Sequence, residues 1–275
     1  MLHRMSMRTA ALSLLFLLQA NFAAAEEAAD SRGQILKSNG EVYVVDQQGV
    51  EHRVGDESYV VHEMDTIVTR DGGKAVVQFN DGAMSVLDEK SSLRVEKSSW
   101  FSHLGGKIYF TFRKVFGEPK RVKTPFSTIG VRGTTFIVYA DASGNGVALQ
   151  EGRLNIESPG EEYELHIRRE QDEFAAFKQE AQEKTEEMNR EFDSYKNQIK
   201  REFVEYRKSF TLDANRVIRF NGNRVDLTSM DSADNAEISA AFGDFEQEAG
   251  ELLEQFRAQA KKHREQQADE KPDEF

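Results

Sequence analysis

The sequence contains no cysteine. That excludes disulfides, thiol nucleophiles, thiolate zinc sites and an anchor on a lipidated N-terminal cysteine, and it leaves the redox compartment open. Positive charge is also short. Lys and Arg total 36 against 48 Asp and Glu, a net charge of −12, which argues against non-specific nucleic-acid binding. Long apolar runs are missing. The longest, Ala10 to Leu18, falls well below the roughly 20 residues that a spanning helix needs. Glycine and proline are absent from the whole of Glu170 to Phe210, and Trp100 is the single tryptophan.

At the N-terminus, Arg4 and Arg8 precede that apolar run, and Ala23-Ala24-Ala25 follows it just before Glu26. The pattern is that of a secretory signal peptide over residues 1–25, with cleavage after Ala25. It predicts a periplasmic mature protein without a membrane span. Secretion, or retention in the inner membrane by an uncleaved signal, are the alternatives.

From Gly33 to Ile167 the chain reads as short strands with frequent turn signals. Lys74 to Phe79 and Lys107 to Phe112 alternate in period two, and Asn39-Gly40, Asp71-Gly72-Gly73 and Asn80-Asp81-Gly82 punctuate them. Trp100 to Gly106 reads as a turn region. The organising stretch is Val122 to Glu157. Pro125 belongs at a strand start, an edge or a bulge, Gly130 and Gly133 bracket Val131-Arg132, and Thr134 to Ala140 is β-branched and aromatic. The expectation is an all-β domain over 33–167, a sandwich, roll or solenoid.

Several of these residues form a recognisable set. Asp65-Thr-Ile-Val-Thr69, Phe79-Asn-Asp-Gly82, Thr124-Pro125, Val131-Arg132-Gly133-Thr134 with Phe136, and Glu151-Gly152 resemble the signature of the FecR domain, in order and spacing. The resemblance covers about half the chain, Ile35 to Ile167. It implies the FecR-like β fold and a role in binding proteins or cell-surface components. Some proteins with such domains relay a signal from an outer-membrane receptor to a cytoplasmic sigma factor. Those carry a cytoplasmic segment and a membrane helix ahead of the β domain, where this sequence shows signal-peptide features.

Beyond Glu170 the period changes. Phe174, Phe177, Ala181, Met188, Phe192, Tyr195, Ile199, Phe203, Tyr206 and Phe210, with Lys184 as the one polar interruption, recur at 3.6-residue spacing. This predicts a straight amphipathic helix. Ile238, Ala241, Phe242, Phe245, Ala249, Leu252, Leu253, Phe256 and Ala260 predict a second helix, with Ser232 or Asp234 as its cap. Between them, Asn221-Gly222-Asn223 predicts a small β-hairpin near 216–227. The expected fold is therefore α+β: a FecR-like all-β domain followed by a long antiparallel helical hairpin over 168–262, with the β-hairpin at its tip and a charged tail at 263–275.

A search for chemistry finds little. Gly130-Val-Arg-Gly133 runs into a strand, so no helix N-terminus follows it to hold a phosphate. His52, His62, His103, His166 and His263 lack metal-ligand spacing. The serines near turns have no nucleophile elbow. No catalytic residue, metal site or cofactor is predicted.

The one basic patch comprises Lys107, Arg113, Lys114, Lys120, Arg121 and Lys123, with Tyr109 among them. It fits an acidic partner, an anionic glycan or a lipid headgroup, or the chain's own acidic helices. Arg132 either contacts a ligand or ties its turn to a neighbouring loop, and the turn reading is preferred because the guanidinium fork serves turn carbonyls equally well. The leading expectation is a non-enzymatic periplasmic interaction module for an envelope protein, using this patch and Arg132. The alternative is a binder of peptidoglycan or envelope polysaccharide, stacking sugars on Trp100 and Tyr109. An enzyme of unrecognised type ranks last.

Overall fold

The computed structural model describes residues 31–80, 82–96, 100–112, 120–167 and 203–258. The expected signal peptide, most of the first expected helix and the charged tail lie outside these residues. The described strands, in chain order, are β1 Ser31–Asn39, β2 Val42–Val45, β3 Glu51–Arg53, β4 Tyr59–His62, β5 Thr66–Thr69, β6 Lys74–Phe79, β7 Ala83–Leu87, β8 Ser92–Val95, β9 Trp100–Phe112, β10 Lys120–Lys123, β11 Thr128–Val131, β12 Thr135–Asp141, β13 Gly144–Glu151, β14 Arg153–Glu157, β15 Tyr163–Ile167, β16 Phe203–Arg207, β17 Ser209–Asp213, β18 Arg216–Asn221 and β19 Arg224–Ser229. One α-helix follows, α1, Ala236–Ala249.

The strands form two sheets that share β9. The first runs β4-β1-β6-β7-β9-β12-β13-β18-β19-β15-β16. The second runs β3-β2-β5-β8-β9-β10-β11-β14-β17. Pairing is antiparallel except for β9 with β10 and β15 with β19.

Strand β9 carries the change of sheet. Its first half pairs with β8 and β10, its second half with β7 and β12. A bulge lies between: Ser92 faces Gly105 but Leu93 faces His103, leaving Leu104 unpaired and 45% exposed. The extra residue flips the side-chain parity. Phe101 and His103 point inward before it, and Ile108, Phe110 and Phe112 after it. Gly106 follows the bulge at φ 81°, and a Cβ there would sit 2.3 Å from Ser91 Oγ. The expected turn at Trp100 to Gly106 is thus continuous strand. Its Gly-Gly pair marks a bend within a ladder and not the end of one.

Between the sheets lies the main core. It draws Ile35, Val77, Phe110, Phe136 and Val138 from one sheet, and Val44, Ile67, Leu93, Ile129 and Ile156 from the other. Phe110, Phe112 and Phe136 stack with centroids 5.3–6.0 Å apart.

A second core covers the outer face of the first sheet. Strand β12 reads Thr-Phe-Ile-Val-Tyr and is buried on both faces, as a strand covered on both sides must be. Ile137 and Tyr139 point outward with Val76, Met84, Val86, Tyr109, Ala148 and Val217. Helix α1 lies over them through Ile238, Ala241, Phe242, Phe245 and Ala249. The helix breaks at Gly250, φ 49°, and residues 251–258 continue helically, with Leu253 and Phe256 in the same core.

This corrects the expected helical hairpin. Among the described residues the C-terminal helix packs on a sheet and not on a second helix. The first expected helix was to run to Phe210, yet 203–207 and 209–213 are strands β16 and β17. Ser-Phe-Thr-Leu-Asp alternates in period two, and pairing with β14 overrides the helical spacing read upstream. The Asn221-Gly222 turn joins β18 to β19, but that hairpin lies inside the first sheet between β13 and β15, away from any helical tip.

Candidate functional site

The outer face of the second sheet carries no helix among the described residues. Its strands β10, β11 and β14 alternate in burial. In β10, Val122 is buried and Arg121 and Lys123 are exposed. In β14, Leu154 and Ile156 are buried while Arg153, Asn155 and Glu157 are exposed. Ile129 and Val131 of β11 and Leu212 of β17 point inward in the same way. The inner residues hold the sheet on the core, and the polar residues are thereby fixed on the other side.

Register sets the polar residues in rows. Trp100, Arg121, Gly130, Asn155 and Thr211 face one another across five strands. Lys123, Thr128, Glu157 and Ser209 form the next row. Gly130 contributes no side chain, and a Cβ there would only touch Asn155 Cβ at 3.5 Å, so the glycine opens the floor without being sterically required. An open groove of about 920 Å³ results, lined by Arg121, Gly130, Arg132, Arg153, Asn155 and Glu157 among others.

Two crossing turns close one end of the groove. Gly152 has φ 91°, and a Cβ on it would lie 2.6 Å from both Gly133 O and Thr134 Cγ2. The turn after β11 therefore presses directly on the turn before β14. Arg132 stands exposed at that crossing and forms no ion pair among the described residues. Arg153 Nε donates to Asp213 Oδ1 at 3.0 Å, both side chains being largely exposed. The Arg121 guanidinium lies 4.8 Å from the Trp100 ring centroid. Such an exposed cation–π contact is worth about 0.5–1 kcal/mol and mainly orients the two groups.

The basic patch expected from sequence is divided. Arg121 and Lys123 are exposed on the second sheet, with Lys120 half-buried beside them. Lys107 lies on the opposite face of the protein, half-buried and registered with Tyr139. Arg113 and Lys114 lie outside the described residues. Tyr109 is buried under α1, stacked on Phe245 at 5.9 Å and edge-on to Phe242 at 6.2 Å. Burial pushes its hydroxyl up to about 12, against the smaller opposing effect of the nearby Arg257 and Thr135 side chains. Tyr109 can therefore neither stack on a sugar nor touch a partner. Of the expected stacking pair Trp100 alone reaches the surface, half-buried.

The histidines are local ties. His52 pairs with Asp46 at 2.8 Å, and this hydrogen bond is the main reason that the Asp46 carboxyl lies below its usual range. His62 Nδ1 is 3.5 Å from Asp65, whose carboxyl is raised by burial, and His166 Nε2 is 2.8 Å from Glu164. His103 is buried, its Nε2–H donates to Gly106 O at 3.0 Å, and desolvation pulls its pKa down to about 4. His263 lies outside the described residues. Among the described residues no three His, Asp or Glu side chains gather as a metal site.

The sequence reading missed Arg153, Asn155, Glu157 and Thr211. The signal for the first three was present in the alternation of Arg-Leu-Asn-Ile-Glu, which puts the polar residues on one face. Thr211 was obscured when its strand was read as the end of a helix.

Among the described residues the architecture is that of two β-sheets, one with its outer face capped by a helix and the other with its outer face uncovered and polar. Residues 65–155 match the model of the family described as FecR protein. That segment runs from the approach to β5 into β14 and includes β9, β10, β11 and the crossing turns. Two crystal structures of a "putative anti-sigma factor" from Parabacteroides distasonis ATCC 8503, at 2.50 and 1.65 Å resolution, are similar to it. Each is 15% identical with a TM-score of 0.39, over 60% of this chain and 59% of theirs. No curated protein matches the chain. No helix of the described residues is long and apolar enough to cross a membrane.

Proposed function

We propose that this protein is a non-enzymatic interaction module of the bacterial envelope, taking part in signalling, and that it meets its partner through the outer face of the second sheet. The observation that carries this reading is the asymmetry of the two outer faces. Helix α1 buries one in a second hydrophobic core. The other keeps Arg121, Arg132, Asn155 and Glu157 exposed around an open groove, held on rigid strands. A polar face with arginine and a half-buried tryptophan is the kind of surface that interfaces use. The FecR match supports a signalling role, and the basic, apolar and small-residue regions of residues 1–25 support export to the periplasm.

Photo-crosslinking in cells tests the assignment. A crosslinking residue at Thr211 or Thr128 is expected to capture one envelope protein, and the same residue at Glu237, exposed on α1 over the other sheet, is expected not to. Equal capture from all three positions overturns the choice of face. Fractionation of the same cells checks the periplasmic location.

Binding of an envelope polysaccharide is the second reading, favoured by the Trp100–Arg121 stack at the groove edge. A glycan pull-down with and without Trp100→Ala separates the two.

A further inference from the structure

Along β14 the groove of the second sheet has arginines at one end and a carboxylate at the other. At one end stand Arg132, on the turn after β11, and Arg153, the first residue of β14 beyond the turn that crosses it. At the other stands Glu157, four residues along β14 from Arg153 and on the same face, with Lys123 in the same row two strands away, beyond Thr128. Four steps at about 3.4 Å separate their Cα atoms by about 14 Å. Between them the floor is Gly130, Asn155 and Thr211, which offers amide and hydroxyl groups but no charge. Arg121 flanks the floor at the Trp100 side.

Each class of ligand meets this arrangement differently. A polyanion, whether a nucleic acid, an acidic glycan or a lipid surface, would be drawn to the arginines and repelled by Glu157. An extended peptide has the same rise per residue as β14, so side chains four apart on it point to one side and match the two charged ends. Its backbone N–H and C=O groups suit Asn155 and Thr211.

We propose that the groove binds an extended segment of a partner protein carrying an acidic residue, set against Arg132 and Arg153, and a basic residue four positions away, set against Glu157. This rests on the interaction-module reading and specifies the chemistry of its partner. Arg153 is already shared with Asp213, so Arg132 is the principal anchor for the carboxylate.

The test uses fluorescence anisotropy of the full chain with short labelled peptides of Ser and Thr. One carries Glu and Lys four positions apart, a second carries Glu at both positions, a third neither charge. The Glu/Lys peptide is expected to bind about tenfold tighter than the neutral one. Arg132→Glu should remove about tenfold for both Glu-bearing peptides. Glu157→Lys should exchange the preference, weakening the Glu/Lys peptide and strengthening the Glu/Glu one. Both side chains are exposed, and unchanged thermal melts exclude misfolding as the cause.

Equal binding of all three peptides, or indifference to Glu157→Lys, overturns the proposal. If crosslinking through Thr211 still captures an envelope protein in that case, the interaction module stands and only the peptide chemistry falls. Crosslinks to this chain's own peptides alone would overturn both.

Discussion

Replacing Phe245 by Ala tests whether the second core, between α1 and the first sheet, is a working part of the fold. Phe245 is buried, stacks on Tyr109 at 5.9 Å, and lies beside Phe242, which meets the same ring edge-on. Truncating such a side chain removes its transfer energy and leaves a cavity, about 3–5 kcal/mol in total. With a urea m-value of about 3 kcal/mol/M, the unfolding midpoint should fall by about 1–1.7 M. A double-mutant cycle with Tyr109→Leu isolates the ring pair. Leucine keeps apolar bulk on the sheet and loses the aromatic contact, so the coupling should be about 0.5–1.5 kcal/mol. Tyr109→Phe serves as the control. It keeps the ring and removes only the hydroxyl, so the coupling to Phe245 should be retained. If Phe245→Ala and Tyr109→Leu add within about 0.5 kcal/mol, the two rings do not meet and the packing of α1 on this sheet is refuted.

Other outcomes follow from the same geometry. Gly152→Ala should destabilise strongly, by more than about 2 kcal/mol in urea unfolding, because its Cβ would collide with backbone at a positive φ. Gly49→Ala, at φ 81° with open space around it, should cost only about 1–2 kcal/mol. Burial holds His103 neutral down to about pH 4, so unfolding should become easier as pH falls from about 6.5, where the unfolded chain takes up its proton and the folded one does not. The loss should level off below pH 4 at about 3 kcal/mol, and the difference in pH profile between wild type and His103→Gln measures it. Charge reversal at Arg121 and Lys123 should weaken partner capture in crosslinking, whereas Lys107→Glu, on the opposite face, should leave it unchanged.

The β architecture was legible because its signals are local. Lys74 to Phe79 and Arg153 to Glu157 alternate, and the FecR residues recur in order. Three features were not legible. The bulge at Leu104 depends on which strands flank β9, and a Gly-Gly pair alone reads as a turn. The cover over Tyr109 depends on a helix more than a hundred residues downstream, so a tyrosine among lysines looked like surface. Strand β17 lay next to a helical spacing, and only its pairing with β14 fixes it. Each of these is a long-range choice, made by a partner that the local sequence does not contain.

The family residues themselves prove to be mostly about folding. Thr124 Oγ accepts from Ser127 N at 2.8 Å and donates to Ser127 O at 3.0 Å, pinning the turn into β11. Gly133 and Gly152 let two turns cross at contact distance. Phe136 fills the core. Arg132 differs from all of them. It sits within the same short run, yet its side chain is exposed and adds nothing visible to the crossing that its neighbours build. Its backbone is fixed by the crossing turns before any ligand arrives, while its side chain, unpaired among the described residues, is ordered only on binding. The glycines are there for the backbone, and what the backbone achieves is to place the Cα of that one arginine at the mouth of the groove.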